Sequence, residues 1–248
     1  MSVLLLALIA GAVIGLALGA LGGGGSVLAV PALIYLLGFT PAAATTASLI
    51  IVTATSATAL YAHATSGNVR WKTGALFAAA GMVPAITAAT LAARLPEAVL
   101  TAAFAAIAAL AALRMLKSPH PEQQPRPVRP ARAAGAGAGL GAVTGFLGVG
   151  GGFLAVPALV GVLGLRMRAA VGTSLLVITV NSLAALAARA GTSTPLDWAV
   201  IAPFAGAAIL GAWDGKRLAS KVSGPALQRI FAIVLLAVAA LMLTDALH

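Results

Sequence analysis

No cysteine occurs in the 248 residues, and only five of them are acidic. The first absence removes disulfides, thiolate metal sites and thiol redox chemistry together. The second is informative by position, because Glu97, Glu122, Asp197, Asp214 and Asp245 all fall in or near the breaks between apolar runs. With no carboxylate in the middle of such a run, the usual acidic proton relay or cation site of a membrane protein is missing. Charged residues make up 8% of the chain, against about 25% in a soluble domain, so the chain cannot cover itself with a wetted surface. The net charge of +10 does not point to nucleic acid. Its basic residues lie between apolar segments, where they orient a membrane protein, and no aromatic-basic surface accompanies them. No metal site and no cofactor are expected.

What is present is apolar. The chain is 61% hydrophobic with a mean hydropathy of +1.06, and several runs approach or exceed the ~20 residues that span a bilayer. These features predict an all-α, polytopic membrane protein with the lipid bilayer as its solvent. The opening MSVLLLALIAGAVIGLALGA has the apolar core of a secretion signal but no basic residue before it. It also has an internal counterpart, so it is read as structure.

That counterpart belongs to a repeat. An offset of 126 residues places Gly11, Gly15 and Gly19 on Gly137, Gly141 and Gly145, and Gly22, Gly24 and Gly25 on Gly148, Gly150 and Gly151. LAVPAL at 28–33 recurs at 154–159, and after a one-residue slip Trp71 matches Trp198 and Phe104 matches Phe231. A membrane repeat over 1–117 and another over 133–248 are therefore expected, joined by the proline- and arginine-rich linker 118–132, too polar for lipid. Each half has five apolar pieces, near 3–21, 26–38, 42–64, 72–94 and 97–117, then 133–148, 152–164, 168–190, 197–215 and 225–244. The second piece of each is short. Thirteen helical residues reach only ~20 Å against a hydrocarbon core of ~30 Å, which suits a re-entrant hairpin or two helices meeting at a break.

Charge then selects a topology. If the first two pieces of each half enter and leave on one side or cross as a pair, each half crosses an odd number of times and the halves are inverted. With the linker inside, Arg70, Lys72, Arg114, Lys117, Arg126, Arg129, Arg132, Arg166, Arg168, Lys216, Arg217, Lys221 and Arg229 lie inside, and Arg94 and Arg189 outside. Parallel halves would split the same fifteen residues eight to seven, which ignores the positive-inside rule. Inverted repeats are expected, with a cytoplasmic linker and both termini outside.

The glycine runs are the sites of interest. Inverted repeats with broken helices near the midplane form a recurring transporter plan. Unwound backbone at that depth must line a cavity or touch protein. Gly23, Gly24 and Gly25 of one break, and Gly150, Gly151 and Gly152 of the other, are candidates to present backbone N–H groups to an anion at a helix N-terminus. By contrast Gly11, Gly15, Gly19 and their counterparts form a small-xxx-small face, and packing accounts for them. Pro31 and Pro157 either open a helix at its first turn or kink one already begun. Ser48, Thr55 and Ser56 share a helical face, as do their counterparts Ser174, Asn181 and Ser182 with Thr173 nearby. Such hydroxyls can bind an oxyanion or bond their own helix; Asn181 stands out, because a membrane helix keeps an asparagine when something pairs with it. Lone His63 at a helix end is read as structural.

GLALGALGGGGSVLAVPALIYLLGFTPAAATTASL at 15–49 and GAVTGFLGVGGGFLAVPALVGVLGLRMRAAVGTSL at 141–175 resemble the duplicated glycine-proline signature of the TauE/SafE family, as does Asp197-Trp198. The resemblance covers nearly the whole chain outside the linker. It implies a bacterial inner-membrane exporter of sulfite or an organosulfonate such as sulfoacetate. Thr173-Ser174-Leu175 matches the family pattern, whereas the first half departs from it with Ala47-Ser48-Leu49 after Thr45 and Thr46.

An anion leaving a cell that is negative inside needs no coupled ion, since the potential supplies ~2.3 kcal/mol per charge per 100 mV. Export of a small anion by alternating access is therefore expected, with Gly23, Gly24, Gly25, Ser26, Thr46, Ser48, Thr55, Gly150, Gly151, Gly152, Thr173, Ser174 and Asn181 as substrate contacts. A passive anion channel or a non-transporting assembly subunit is the alternative. An intramembrane serine hydrolase using Ser26 and His63 is disfavoured, because no third group orients the histidine.

Overall fold

A computed structural model describes residues 3–92, 97–117, 129–146, 152–189 and 196–246. Among them every regular element is helical: α1 Val3–Leu21, α2 Gly24–Pro31, α3 Pro41–Ala64, α4 Trp71–Ala92, α5 Glu97–Lys117, α6 Pro130–Phe146, α7 Gly152–Gly161, α8 Met167–Ala188, α9 Trp198–Lys221 and α10 Gly224–Ala246. The ten helices coincide with the ten apolar pieces. Helix satisfies every interior backbone group within its own segment, the condition lipid imposes. Four of them, α1, α3, α8 and α9, are long and apolar enough to cross a membrane.

Local chemistry sets the ends. Thr40 caps α3, its Oγ1 accepting from Ala43 N, with Pro41 at the first helical position. Asp197 caps α9 by accepting from Ala199 N at 3.0 Å. Removing that acceptor in Asp197→Ala should lower stability by about 1 kcal/mol, read as an earlier thermal transition of the detergent-purified protein. Pro31 does not open a helix but closes α2, and Pro157 sits inside α7, so both act within helices already begun. Having no N–H, Pro31 breaks the regular ladder, and the chain continues as a π-helical segment, Ala32–Leu36. Gly38 and Gly164, counterparts in the repeat, then take positive φ of 70° and 67° to leave the short helices.

The two halves pack by exchange. The first helix of each lies along the fourth helix of the other: α1 on α9 and α6 on α4. A Cβ added to Gly11, Gly15 or Gly19 would collide with the backbone of Phe204, Ala208 or Ala212. In the other seam Gly137 and Gly141 meet Phe77 and Gly81 in the same way, and these are the positions the repeat offset relates. Small residues here let two backbones touch, which is the source of stability where lipid tails are as apolar as the side chains. The partners α3 and α8, α5 and α10, and α2 and α7 pack against each other.

The α3–α8 crossing is antiparallel. Arg189 Nη1 donates to Thr46 Oγ1 at one point and Thr179 Oγ1 donates to Ser56 Oγ at another, so one helix climbs as its counterpart descends. Val83 and Leu210, also counterparts, are 69% and 70% exposed, on faces that lipid would cover. Trp71 and Trp198 begin α4 and α9 and are exposed, the position interfacial tryptophans favour.

Candidate functional site

The first break is short. α1 ends at Leu21, Gly22 takes a φ of 72°, and α2 starts at Gly24. Only glycine turns this corner without strain, and only glycine fits, since a Cβ on Gly22 would stand 2.5 Å from Ser174 Oγ and 3.2 Å from Val156 Cγ2. The break in the first half thus lies against α7 and α8 of the second. Gly23 is the N-cap of α2; Gly24 and Gly25 belong to its first turn, where N–H groups have no acceptor inside the helix. Gly25 also has a packing task, because a Cβ there would meet Ile14 O at 2.6 Å and Leu18 Cβ at 2.7 Å on α1.

The broken end of α1 is capped from α3. The last carbonyls of a helix lack intrahelical donors, and His63 Nε2 stands 3.0 Å from Gly19 O. With the proton on Nε2, His63 donates that bond; Nδ1 is buried without a partner. His63 is therefore a structural side chain of the break, as its position in the sequence suggests.

In the second half Gly150 and Gly151 lie outside the described residues, as do the rest of that break, Arg94 and the linker between 118 and 128. Gly152 opens α7. A Cβ on it would stand 2.8 Å from Ser26 Oγ and 2.8 Å from Ile178 Cγ1. Ser26 and Gly152 occupy equivalent positions of the two repeats, so the starts of both short helices meet at the centre of the bundle.

The hydroxyls around this point are largely committed to their own helices. Ser26 donates to Gly23 O at 2.8 Å, Ser48 to Thr45 O at 2.8 Å, Thr55 to Ile51 O at 2.6 Å, and Ser174 to Val171 O at 2.8 Å. Thr46 bonds Ala42 O and accepts from Arg189. Thr173 Oγ1 accepts from Arg70 N at 3.1 Å, tying α8 to the start of α4. A hydroxyl has a single proton, so each of these donors gives up a backbone bond before it can serve an anion. The structure therefore brings Ser26, Gly152 and Ser174 close to one centre, and spreads Thr46 and Thr173 toward the ends of the α3–α8 pair.

Two side chains differ. Asn181 Oδ1 and Thr53 Oγ1 are buried and have no hydrogen-bond partner. Asn181 lies one turn beyond Ile178, the residue of α8 against Gly152. Thr53 is not a candidate by the sequence reading above, although the same offset places it on an identical residue, Thr179. A buried unpaired polar group costs roughly 1–3 kcal/mol, so such groups are kept where something else fills the gap.

The comparisons with known proteins agree with this architecture. The family described as "Sulfite exporter TauE/SafE" matches residues 7–242. A protein of Xylella fastidiosa (strain 9a5c), named "Probable membrane transporter protein", is 34% identical over 237 residues, covering 92% of this chain and 90% of its own length. Its namesake from Xylella fastidiosa (strain Temecula1 / ATCC 700964) is 32% identical with the same coverage. With a family match over nearly the whole chain, and ten helices among the described residues, the protein is a multi-pass membrane transporter that belongs to the TauE/SafE sulfite exporter family.

Proposed function

We propose that the chain exports a small anion, sulfite or a related sulfur oxyanion or organosulfonate, by alternating access across a bacterial inner membrane. The substrate would lie where α2 and α7 begin. Two helix N-termini meeting at one point favour negative charge, and α8, which packs on Gly152 through Ile178, carries the unpaired Asn181 Oδ1 one turn further on. Gly23–Gly25 and Gly150–Gly152 would offer backbone N–H groups, with Ser26, Ser48, Thr55 and Ser174 within their own helices behind them. A carrier is preferred to a hydrolase because the Ser26 proton goes to the Gly23 carbonyl and not to a base.

The antiparallel α3–α8 crossing supports inversion of repeats 1–117 and 133–248 about an axis in the membrane plane. The loop at 67–70 and the chain entering α8 (164–168) and α10 (223–228) gather around one pocket with Arg70, Arg166 and Arg168 on its wall, which supports placing this end and the linker in the cytoplasm, and both termini outside.

The observation that carries alternating access is an asymmetry. Ser56–Thr179 and Thr53–Ser182 are equivalent pairs, exchanged by the repeat, in one antiparallel register. Thr179 Oγ1 lies 2.9 Å from Ser56 Oγ, while Thr53 Oγ1 has no partner. Inverted halves that swap conformations would close the second pair as they open the first. The chain has no cysteine, so Ser56→Cys/Thr179→Cys and Thr53→Cys/Ser182→Cys can be read without background. In proteoliposomes with saturable, counterflow-competent sulfite uptake, the first pair should crosslink at rest and the second during turnover. Unsaturable flux without counterflow would indicate a passive channel, and absence of sulfite uptake by inserted protein would exclude sulfite as the cargo.

A further inference from the structure

We infer that the basic end of the bundle holds one anionic phospholipid, its phosphate among Arg70, Arg166 and Arg168 and an acyl chain lying between α5, α6 and α7. The loop before α4 and the starts of α8 and α10 line a pocket there of about 540 Å³. Among the described residues on its wall every formal charge is positive, from Arg70, Arg166 and Arg168. Arg168 is fixed in place, its Nη2 donating to Ser220 O and Val222 O at 3.0 Å each. Those carbonyls orient the guanidinium without neutralising it. Asn68 and Ser223 add hydrogen-bonding groups to the same wall. Clustered guanidiniums favour an oxyanion, and a phosphate presents one in a geometry they match.

The neighbouring cavity selects a lipid over a free anion. Val160 and Gln228 belong to the wall of the basic pocket and also to that of an apolar cavity of about 790 Å³ between α5, α6 and α7. Met115 and Leu154 in that cavity are buried, whereas Leu110 and Val162 on its rim are 53% and 45% exposed, open to the hydrocarbon around the protein. Arg114 adds a further cation beside it. A small inorganic anion gains nothing from an apolar groove, but a phospholipid has a charged head and apolar tails in this order. The groove also has room, since a Cβ on Gly139 or Gly161 would meet nothing within 4 Å. The repeat does not require the charges: the positions equivalent to Arg166 and Arg168 are Thr40 and Ala42. Basic pockets between helices at the cytoplasmic surface are where anionic headgroups dock.

Native mass spectrometry of the full chain in detergent tests this, with phosphatidylglycerol, phosphatidylcholine or inorganic phosphate added. One phosphatidylglycerol per chain should be retained, with phosphatidylcholine lost and millimolar phosphate unable to displace the lipid. Arg70→Gln/Arg166→Gln should weaken retention by about thirtyfold, at about fivefold per charge near the membrane surface. Gly139→Leu/Gly161→Leu, which fills open space, should abolish retention while the melting temperature in lipid-free detergent stays unchanged. Equal retention of phosphatidylcholine, or no lipid retained by the unsubstituted chain, overturns the proposal. So does displacement of the lipid by phosphate with the glycine double variant still binding, which would make the pocket a small-anion vestibule. None of these readouts depends on transport, so the carrier assignment can fail separately.

Discussion

Gly15→Leu should prevent the chain from assembling into a stable bundle. A Cβ at this position already collides with the backbone of Ala208, and the same holds one turn away at Gly11 and Gly19. The clash is with main chain, which cannot rotate aside. Either α1 and α9 separate along the whole seam or one helix shifts its register. Between membrane helices the hydrophobic effect offers no compensation, because lipid replaces protein at no loss of apolar burial, and close contact is what is forfeited. Overpacking costs ~1–3 kcal/mol in an ordinary core and occasionally more; here the upper end or beyond is expected, since α9 reciprocates with Gly211 and Gly215 against Ala12 and Leu16. The measurement is monodispersity and melting temperature by size exclusion in detergent. Gly206→Ala is the control: it lies in α9 with nothing within 4 Å, and alanine's helix propensity should leave it neutral or stabilised by up to about 1 kcal/mol. A Gly15→Leu variant that melts with the unsubstituted chain would show that the seam is looser than described.

Asn181→Leu should move stability and transport in opposite directions. Its Oδ1 is buried with no partner, and removing an unsatisfied polar group in favour of an apolar one of similar size recovers part of a ~1–3 kcal/mol penalty. For a chain of this length that corresponds to a rise of roughly 2–4 °C per kcal/mol. Transport should fall at least tenfold in kcat/KM, because a hydrogen bond to a charged ligand contributes ~1.5–3 kcal/mol. Thr55→Val, at the equivalent position in the first half, is the informative contrast. Thr55 spends its proton on Ile51 O, so a smaller loss of transport is expected with no gain in stability. If Asn181→Leu lowers the melting temperature and leaves transport intact, the asparagine serves packing and the substrate lies elsewhere.

Much of this architecture was legible in the residues. Ten apolar pieces became ten helices, because in lipid a long apolar run has few alternatives to helix. The 126-residue offset anticipated equivalent seams, and Gly11-xxx-Gly15-xxx-Gly19 announced close packing, because the spacing alone puts the three on one face. Other features depended on neighbours distant in sequence. Pro31 could open or kink a helix, and only the start of α2 at Gly24 decides for the kink. Gly25 reads in the sequence as a candidate substrate contact, and only its neighbours show that its missing side chain also makes room for Ile14 and Leu18. Nothing local in the sequence marks Thr53, since a threonine whose hydroxyl is orphaned has the same letter as one bonded to its own helix.

Composition, periodicity and the repeat were enough to specify a helical membrane protein of two related halves, because lipid removes the alternatives that make soluble folds hard to read. Which glycines pack and which turn the chain was left to the tertiary structure. So were the side chain that caps the broken end of α1 and the polar atoms of α3 and α8 that stay buried and unpaired. Those depend on what stands opposite each residue across the repeat, and that distance is set by backbone contacts between helices far apart in the sequence.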